Sequence, residues 1–511
     1  MKFPLKYLAL FAAVLAFLVL TVPVNHSEAE DAYYYARMAE RGAWSEMFHA
    51  HHLLYLPLVR GVYRVMQFAG YDGRALPVLI AVSMVSGALA VCLFSALLKR
   101  FGIRRENRLF AALLLFSYGF WRYSITAEIY IPVTALSLLT LYCAVRAEER
   151  LLFFVFSILS GTFSLLLHLV SLPAVLLAVP LLLAFRQPRR RAAVYLLLTG
   201  LFAAAVYWIA AQSVGLTVFT DTQIARDPLL ATRVWLRGIA AFGQNLLSAN
   251  FLFSIPSVCN GLQTLFPVQM LQEEVFMGQA AAPAIRWLAP VTLGPAAAFF
   301  MVLLFSAVRN IRRTVVEHPV PAGACLLWLG GIAAMAFLFE PANPEMWICI
   351  LPPFWLLLVL LWNRASNRLH LIPVLLAVAL LVHNWIGGMS LVQNPDSDYC
   401  RQKGAWIAEQ AKPDDLILTA DSHSFVTFLA YRTPARIIDA KFISPADWSA
   451  LQRQTSGRIF VFSDVMEPLP PVARRAPVSV RKMHEMAVQL QPGLYPVHQN
   501  SFGTVYQWKN L

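Results

Sequence analysis

Long apolar runs separated by short polar connections organise the chain. They fall at 5–24, 77–98, 108–124, 129–145, 151–168, 170–185, 192–212, 287–308, 321–339, 346–361 and 370–391. Most approach the ~20 residues that a helix needs to cross a bilayer core, so eleven spanning helices are predicted. The first run, preceded by Lys2 and Lys6, has the make-up of a signal peptide. No clear small-x-small cleavage site follows it, and it is read as a retained helix. Three stretches break the pattern. Residues 25–76 read as amphipathic helices along the membrane surface, with Tyr55, Arg60, Tyr63 and Arg64 interleaved. Residues 213–286 carry a helical pattern at 229–247 and a proline-punctuated stretch at 255–267. From 392 onward, short apolar runs at 416–418, 436–438 and 458–462 read as strands, and 402–411 and 445–454 as helices. The expected fold is an α-helical polytopic membrane protein of about eleven transmembrane helices with a small C-terminal α/β soluble domain. The transmembrane domain takes residues 1–391, with outer-face loops 25–76 and 213–286; the soluble extracytoplasmic domain takes 392–511.

Composition supports the membrane reading. Of 511 residues, 59% are hydrophobic and 14% charged, with mean hydropathy +0.60, against about 25% charged in soluble chains. The net charge of +13 would suit a nucleic-acid partner, but the basic residues sit in short loops. With the N-terminus in the cytoplasm, Lys99, Arg100, Arg104, Arg105, Arg108, Arg146, Arg150, Arg186, Arg189, Arg190, Arg191, Arg309, Arg312, Arg313, Arg364 and Arg368 all fall inside. The short outer connections near 125–128, 169 and 340–345 hold no Lys or Arg. That is the positive-inside rule. It excludes nucleic acid as the reason for the charge and predicts a bacterial-type inner (plasma) membrane protein with its C-terminal domain outside. Cys92, Cys143, Cys325 and Cys349 lie in apolar runs; Cys259 and Cys400 lie in polar regions, where an oxidising compartment would let them pair. No CxxC or Cys/His metal spacing is present.

The candidate chemistry collects on the outer face. Glu30-Asp31-Ala32-Tyr33-Tyr34-Tyr35 sets two acids beside three tyrosines where the chain leaves the first span. Asp31 suits a helix N-cap; a carboxylate near a membrane surface, beside tyrosines that exclude water, also suits a general base. His51 and His52 follow, and on a helix adjacent positions point about 100° apart, so one of the two would face a site. Arg122 and Glu128 flank a tight outer turn, as a mutual salt bridge or as a phosphate-binding pair, with Arg122 pointing outward. His168 stands at the outer end of the fifth span, and Glu345 and Trp347 at another outer turn, where an aromatic face and a carboxylate suit a sugar. The middles of the spans are nearly free of charge. A transporter or flippase, the main alternative class, would place ionisable groups there; an envelope scaffold is the other non-enzymatic reading.

Asp31-Ala32-Tyr33-Tyr34-Tyr35-Ala36-Arg37, His51-His52-Leu53-Leu54-Tyr55-Leu56-Pro57 and Phe120-Trp121 through Ala127-Glu128-Ile129-Tyr130 together resemble the GT-C membrane glycosyltransferases. These include protein O-mannosyltransferases, lipid A aminoarabinose transferases and the catalytic subunit of oligosaccharyltransferase. The motifs cover about the first 170 residues; beyond them the likeness is architectural. It implies a polyprenyl-phosphate-linked sugar donor and transfer, with inversion, on the outer face to a lipid, glycan or protein acceptor. It places the catalytic base on Asp31, with Glu30 as its rival, since this chain reverses the order of the acidic pair found in many members. Arg122, Glu128 and His52 would serve the donor phosphate, and Tyr35, His168, Glu345 and Trp347 the sugar or acceptor. Some relatives use a divalent cation and others none, so a metal stays open.

Overall fold

The computed structural model describes residues 5–27, 29, 31–103, 107–214, 234–265, 272–362, 371–467, 485, 487–488 and 490–509. The chain divides into two compact units. The first is built from 1–23, 38–249 and 283–390, the second from 24–37, 250–282 and 391–511. Segments 24–37 and 250–282, which the apolar pattern alone attaches to the helical region, thus belong to the same unit as the C-terminal residues.

Each predicted span is matched by helix in the first unit. Among the described residues, seven helical segments are long and apolar enough to cross a membrane: Ala75–Arg100, Leu169–Arg186, Arg189–Val214, Ile285–Arg309, Pro319–Leu338, Pro344–Trp362 and Ile372–Val392. Leu5–Leu20, Tyr130–Arg146 and Leu151–Leu167 are shorter apolar helices. The third run is a broken helix, Asn107–Phe116 followed by Tyr118–Ser124. Ser117 adopts an extended conformation between the two (φ −62°, ψ 129°). The carbonyl of Phe116 that this break frees accepts from Asn384 Nδ2 at 2.7 Å, and Ser117 Oγ accepts from Trp355 Nε1 at 2.8 Å. Backbone groups with no water to turn to need such substitutes. Burial separates the helices sharply: 89% of the apolar window of Pro344–Trp362 is buried, against 17% for Ile285–Arg309. The latter leaves Trp287, Val291, Met301 and Phe305 exposed, a face that only lipid or another apolar partner covers cheaply. The chain is an integral membrane protein.

The second unit is an α/β fold around a five-stranded sheet in the order β2-β1-β3-β5-β4. The strands are β1 (Leu416–Thr419), β2 (Arg436–Asp439), β3 (Ile459–Phe462), β4 (Leu494–Asn500) and β5 (Gly503–Trp508). β1 pairs with β2 and β3 in parallel, and β5 with β3 and β4 antiparallel. Residues of β1 and β3 are buried along their whole length, as expected for parallel strands covered on both faces. The helix Pro445–Gln454 starts at a capping box formed by Ser444 and Asp447. Gly503 turns the β4–β5 hairpin at φ +120°, where a side chain would run into Ser463. Cys259 and Cys400 are both buried free thiols in this unit.

A buried charge cluster closes the carboxyl ends of β1 and β3. Lys403 lies against Asp421 and, at 2.8 Å, Asp464. Asp464 also accepts from the Ala420 amide at 2.8 Å and the Thr419 hydroxyl at 2.9 Å. Asp421 accepts from the Tyr399 hydroxyl at 2.7 Å and the Ser422 amide at 2.6 Å. Burial pulls the Lys403 pKa down, and Asp464 and Asp421 more than offset it, so the ammonium is held above its ordinary value. Burial pushes the Asp464 carboxyl up. Removing one partner from such a buried set leaves an uncompensated charge and costs about 3–5 kcal/mol. Lys403→Ala is expected to lower the thermal midpoint of the purified protein by several degrees, and adding Asp464→Asn to recover part of that loss, both read in thermal melts.

Candidate functional site

Asp31 opens the helix Ala32–Arg41. Its carbonyl accepts from the Tyr35 amide at 2.8 Å, the first turn of that helix. Its carboxylate has a neighbour at each oxygen. Oδ2 accepts from the Tyr35 hydroxyl at 3.0 Å, and Oδ1 lies 3.5 Å from His423 Nε2. The Asp31 side chain stays 37% exposed, so a substrate hydroxyl can reach it. Tyr35 is buried, and its phenol donates to Asp31. Glu30, the rival base, lies outside the described residues.

The residues around Asp31 are anchored to the rest of the second unit. Asn25 donates from its amide to the Val392 carbonyl at 3.1 Å and from Nδ2 to the Ser397 carbonyl at 2.9 Å. Ser27 donates to Asp398 at 3.3 Å, and Asp398 in turn caps the helix Tyr399–Gln410 through the Arg401 amide. The Tyr33 ring packs edge-on against Phe428 at 5.2 Å and tilted against Tyr431 at 5.9 Å. Both belong to the helix His423–Arg432. Its N-cap, Ser422, accepts from the Phe425 amide and donates to Glu273 at 2.5 Å, and Gln272 donates to Asp421 at 2.5 Å. The helix Gln272–Gln279 is thereby tied to the same turn.

The other candidates lie in the first unit. The His49–Leu54 stretch is held to the end of the helix Leu151–Leu167 and the start of Leu169–Arg186 by two backbone bonds of 2.9 Å, Leu54 amide to Leu166 carbonyl and Leu169 amide to His51 carbonyl. This gathers four imidazoles: ring centroids are 4.6 Å apart for His49 and His52, 5.0 Å for His51 and His52, and 6.0 Å for His52 and His168. Tyr130 stands 5.2 Å from His168, whose Nδ1 accepts from the Val170 amide at 2.9 Å. His52 is buried. Burial, then the neighbouring His168, His49 and His51, depress its pKa well below the ordinary value, so it is neutral at pH 7 and can offer a hydrogen bond but no charge. Among the described residues no group of three or more His, Cys, Asp or Glu is arranged to hold a metal ion.

Arg122 was expected to point outward; its side chain is instead buried. The short helix that carries it, Tyr118–Ser124, packs against Ala75–Arg100, Val234–Leu246 and the first turns of Pro344–Trp362. Glu128 is fully buried, its carbonyl accepting from Ser83 Oγ at 3.3 Å. Glu345 is buried too, its amide donating to Asn343 Oδ1 at 2.9 Å. Trp347 spends its ring on protein: its indole donates to the Pro341 carbonyl at 2.9 Å, and Phe337 stacks edge-on at 5.3 Å. The structure thus groups Asp31 with Tyr35 in one unit, and His52 with His168 in the other. The contact that sequence reasoning missed is His423. The Ser422 cap directly after a buried strand marks a strand-to-helix turn, a signal that would have flagged it.

No protein-family model matches this chain, and no curated protein matches it. Solved structures do. ArnT from Cupriavidus metallidurans bound to undecaprenyl phosphate is 12% identical with a TM-score of 0.57, over 99% of this chain and 98% of that one. The apo form of the same protein is 14% identical with a TM-score of 0.51, over 98% of both chains. The archaeal oligosaccharyltransferase AglB from Archaeoglobus fulgidus, in complex with an inhibitory peptide and a dolichol-phosphate, is 13% identical with a TM-score of 0.50, over 98% of this chain and 74% of that one. At these identities the likeness is one of fold: over nearly its whole length the chain shares the fold of ArnT and, with a lower TM-score, that of AglB.

The depressed His52 pKa has a stability consequence. Between its folded value and about 6.5, the unfolded chain binds a proton that the folded chain refuses, so stability rises with pH across that window. Acidification from pH 7.5 to 5.0 is expected to lower the thermal midpoint, and His52→Gln to flatten part of that dependence, in melts recorded across the range.

Proposed function

We propose that the protein is a glycosyltransferase that moves a sugar from a polyprenyl-phosphate carrier to a hydroxyl acceptor, with Asp31 as the general base. The observation that carries this reading is the near end-to-end likeness to ArnT, a protein captured with undecaprenyl phosphate. The environment of Asp31 fits the role: a half-exposed carboxylate, held in place by a buried phenol and within reach of a hydroxyl.

In the proposed step the acceptor hydroxyl oxygen attacks the anomeric carbon while its proton passes to Asp31. The bond from that carbon to the phosphate oxygen breaks, and the lipid phosphate leaves with the electron pair. Single displacement inverts the carbon. Proton removal by a positioned carboxylate contributes about 10²–10⁴ in rate. The leaving phosphate gains charge, which a planar guanidinium matches with two parallel hydrogen bonds, and Arg122 is assigned that contact. His52, neutral at pH 7, is assigned a hydrogen bond to the donor, and Glu128 a place beside the donor as well. His168 and Glu345 are the polar groups assigned to the sugar. The acceptor and the identity of the sugar follow from the assay below.

The purified protein is supplied with undecaprenyl-phosphate-linked mannose, glucose and aminoarabinose in turn, together with an envelope extract, and release of undecaprenyl phosphate is measured by mass spectrometry. Turnover with at least one donor and a glycosylated product is expected; lipid movement without covalent product makes the protein a transporter. Asp31→Asn is expected to keep membrane abundance and to lose about 10³-fold in turnover. Turnover retained in both Asp31→Asn and Glu30→Gln places the base elsewhere.

A further inference from the structure

We infer that His423, on the α/β part of the second unit, is a positioning residue for Asp31, so that the C-terminal region completes the reacting site instead of merely following it. The inference rests on the reading of Asp31 as the base.

The geometry carries it. A carboxylate turns about its Cβ–Cγ bond unless both oxygens are engaged, and a base whose lone pair wanders loses rate steeply. Tyr35 engages Oδ2 at 3.0 Å, and His423 stands 3.5 Å from Oδ1. Tyr35 reaches Asp31 from one turn along the same helix. His423 comes from another part of the chain, and the two flank the group at opposite oxygens. A carboxylate has about four lone-pair sites, so two donors still leave room for the acceptor hydroxyl.

His423 is itself firmly placed. It is the first residue of its helix, whose cap Ser422 is held by the Phe425 amide and Glu273. The preceding Asp421 is locked by Lys403 and Tyr399. Tyr33, two residues from Asp31, packs on Phe428 and Tyr431 of the same helix, which sets the spacing between that helix and Asp31. The His423 side chain is 56% exposed. At that exposure it fills little core space, and Asp439 is a second acidic neighbour.

The test uses the full-length protein and whichever of the three donors above supports turnover. His423→Ala is expected to lower kcat about 10- to 100-fold with KM and the thermal midpoint little changed, and His423→Gln, which keeps a neutral donor near the position of Nε2, to recover most of the loss. Full turnover by His423→Ala beside an inactive Asp31→Asn overturns the positioning role and leaves the base in place. Equal loss in the Gln and Ala variants overturns it as well, since a donor would then not be what matters. Full turnover by Asp31→Asn removes the base reading and the positioning role together.

Discussion

The second unit depends on one buried ammonium. Lys403 is surrounded by Asp421, Asp464 and the Tyr399 hydroxyl, and each of these partners does a second job. Asp464 caps the end of β1 through the Thr419 and Ala420 groups. Asp421 receives the Ser422 amide and so shapes the turn into the next helix. A charge set of this kind contributes little net stability over an apolar substitute. Its value is geometric: the parallel strands, the helix Tyr399–Gln410 and the turn at 420–423 are brought to a common point. His423, 3.5 Å from Asp31, inherits its placement from that point.

The helical unit meets a different constraint, since its backbone has no water to fall back on. Where the third span breaks at Ser117, the structure answers with Asn384, which donates to the carbonyls of both Phe116 and Leu246 and accepts from the Ser248 amide at 2.8 Å. One side chain thereby joins three segments. The short helix after the break, Tyr118–Ser124, is buried along its length, which is why Arg122 ends inside the protein. An arginine in such a place is expensive.

The spans were legible because a run of about 20 apolar residues has few other uses, and β1 and β3 because both read as short unbroken apolar stretches. The hairpin β4–β5 was not legible. Its residues are half-buried and mixed, with His498, Gln499 and Gln507 among them, so no alternation stands out. The helix His423–Arg432 was missed because its apolar residues cover most of its surface and leave no stripe. The break at Ser117 was hidden within a continuously apolar run. Asp31 was visible from its tyrosine neighbours, whereas its contact with His423 depends on residues far away in sequence. Trp347 looked like an interfacial ring open to a sugar; Phe242 and Phe337, which enclose it, are neighbours only in three dimensions.

The second unit is assembled from three separate pieces of chain, and this bears on how the protein is made. Asn25 and Ser397 are 372 residues apart, so the segment carrying Asp31 is synthesised well ahead of its partners. During that interval the chain carries Asp31 without the helix His423–Arg432 that lies beside it. A truncated product, or one stalled during insertion, therefore carries the acid without its full setting. Assembly order thus sets when Asp31 gains its neighbours, because His423 lies 3.5 Å from it and is synthesised much later.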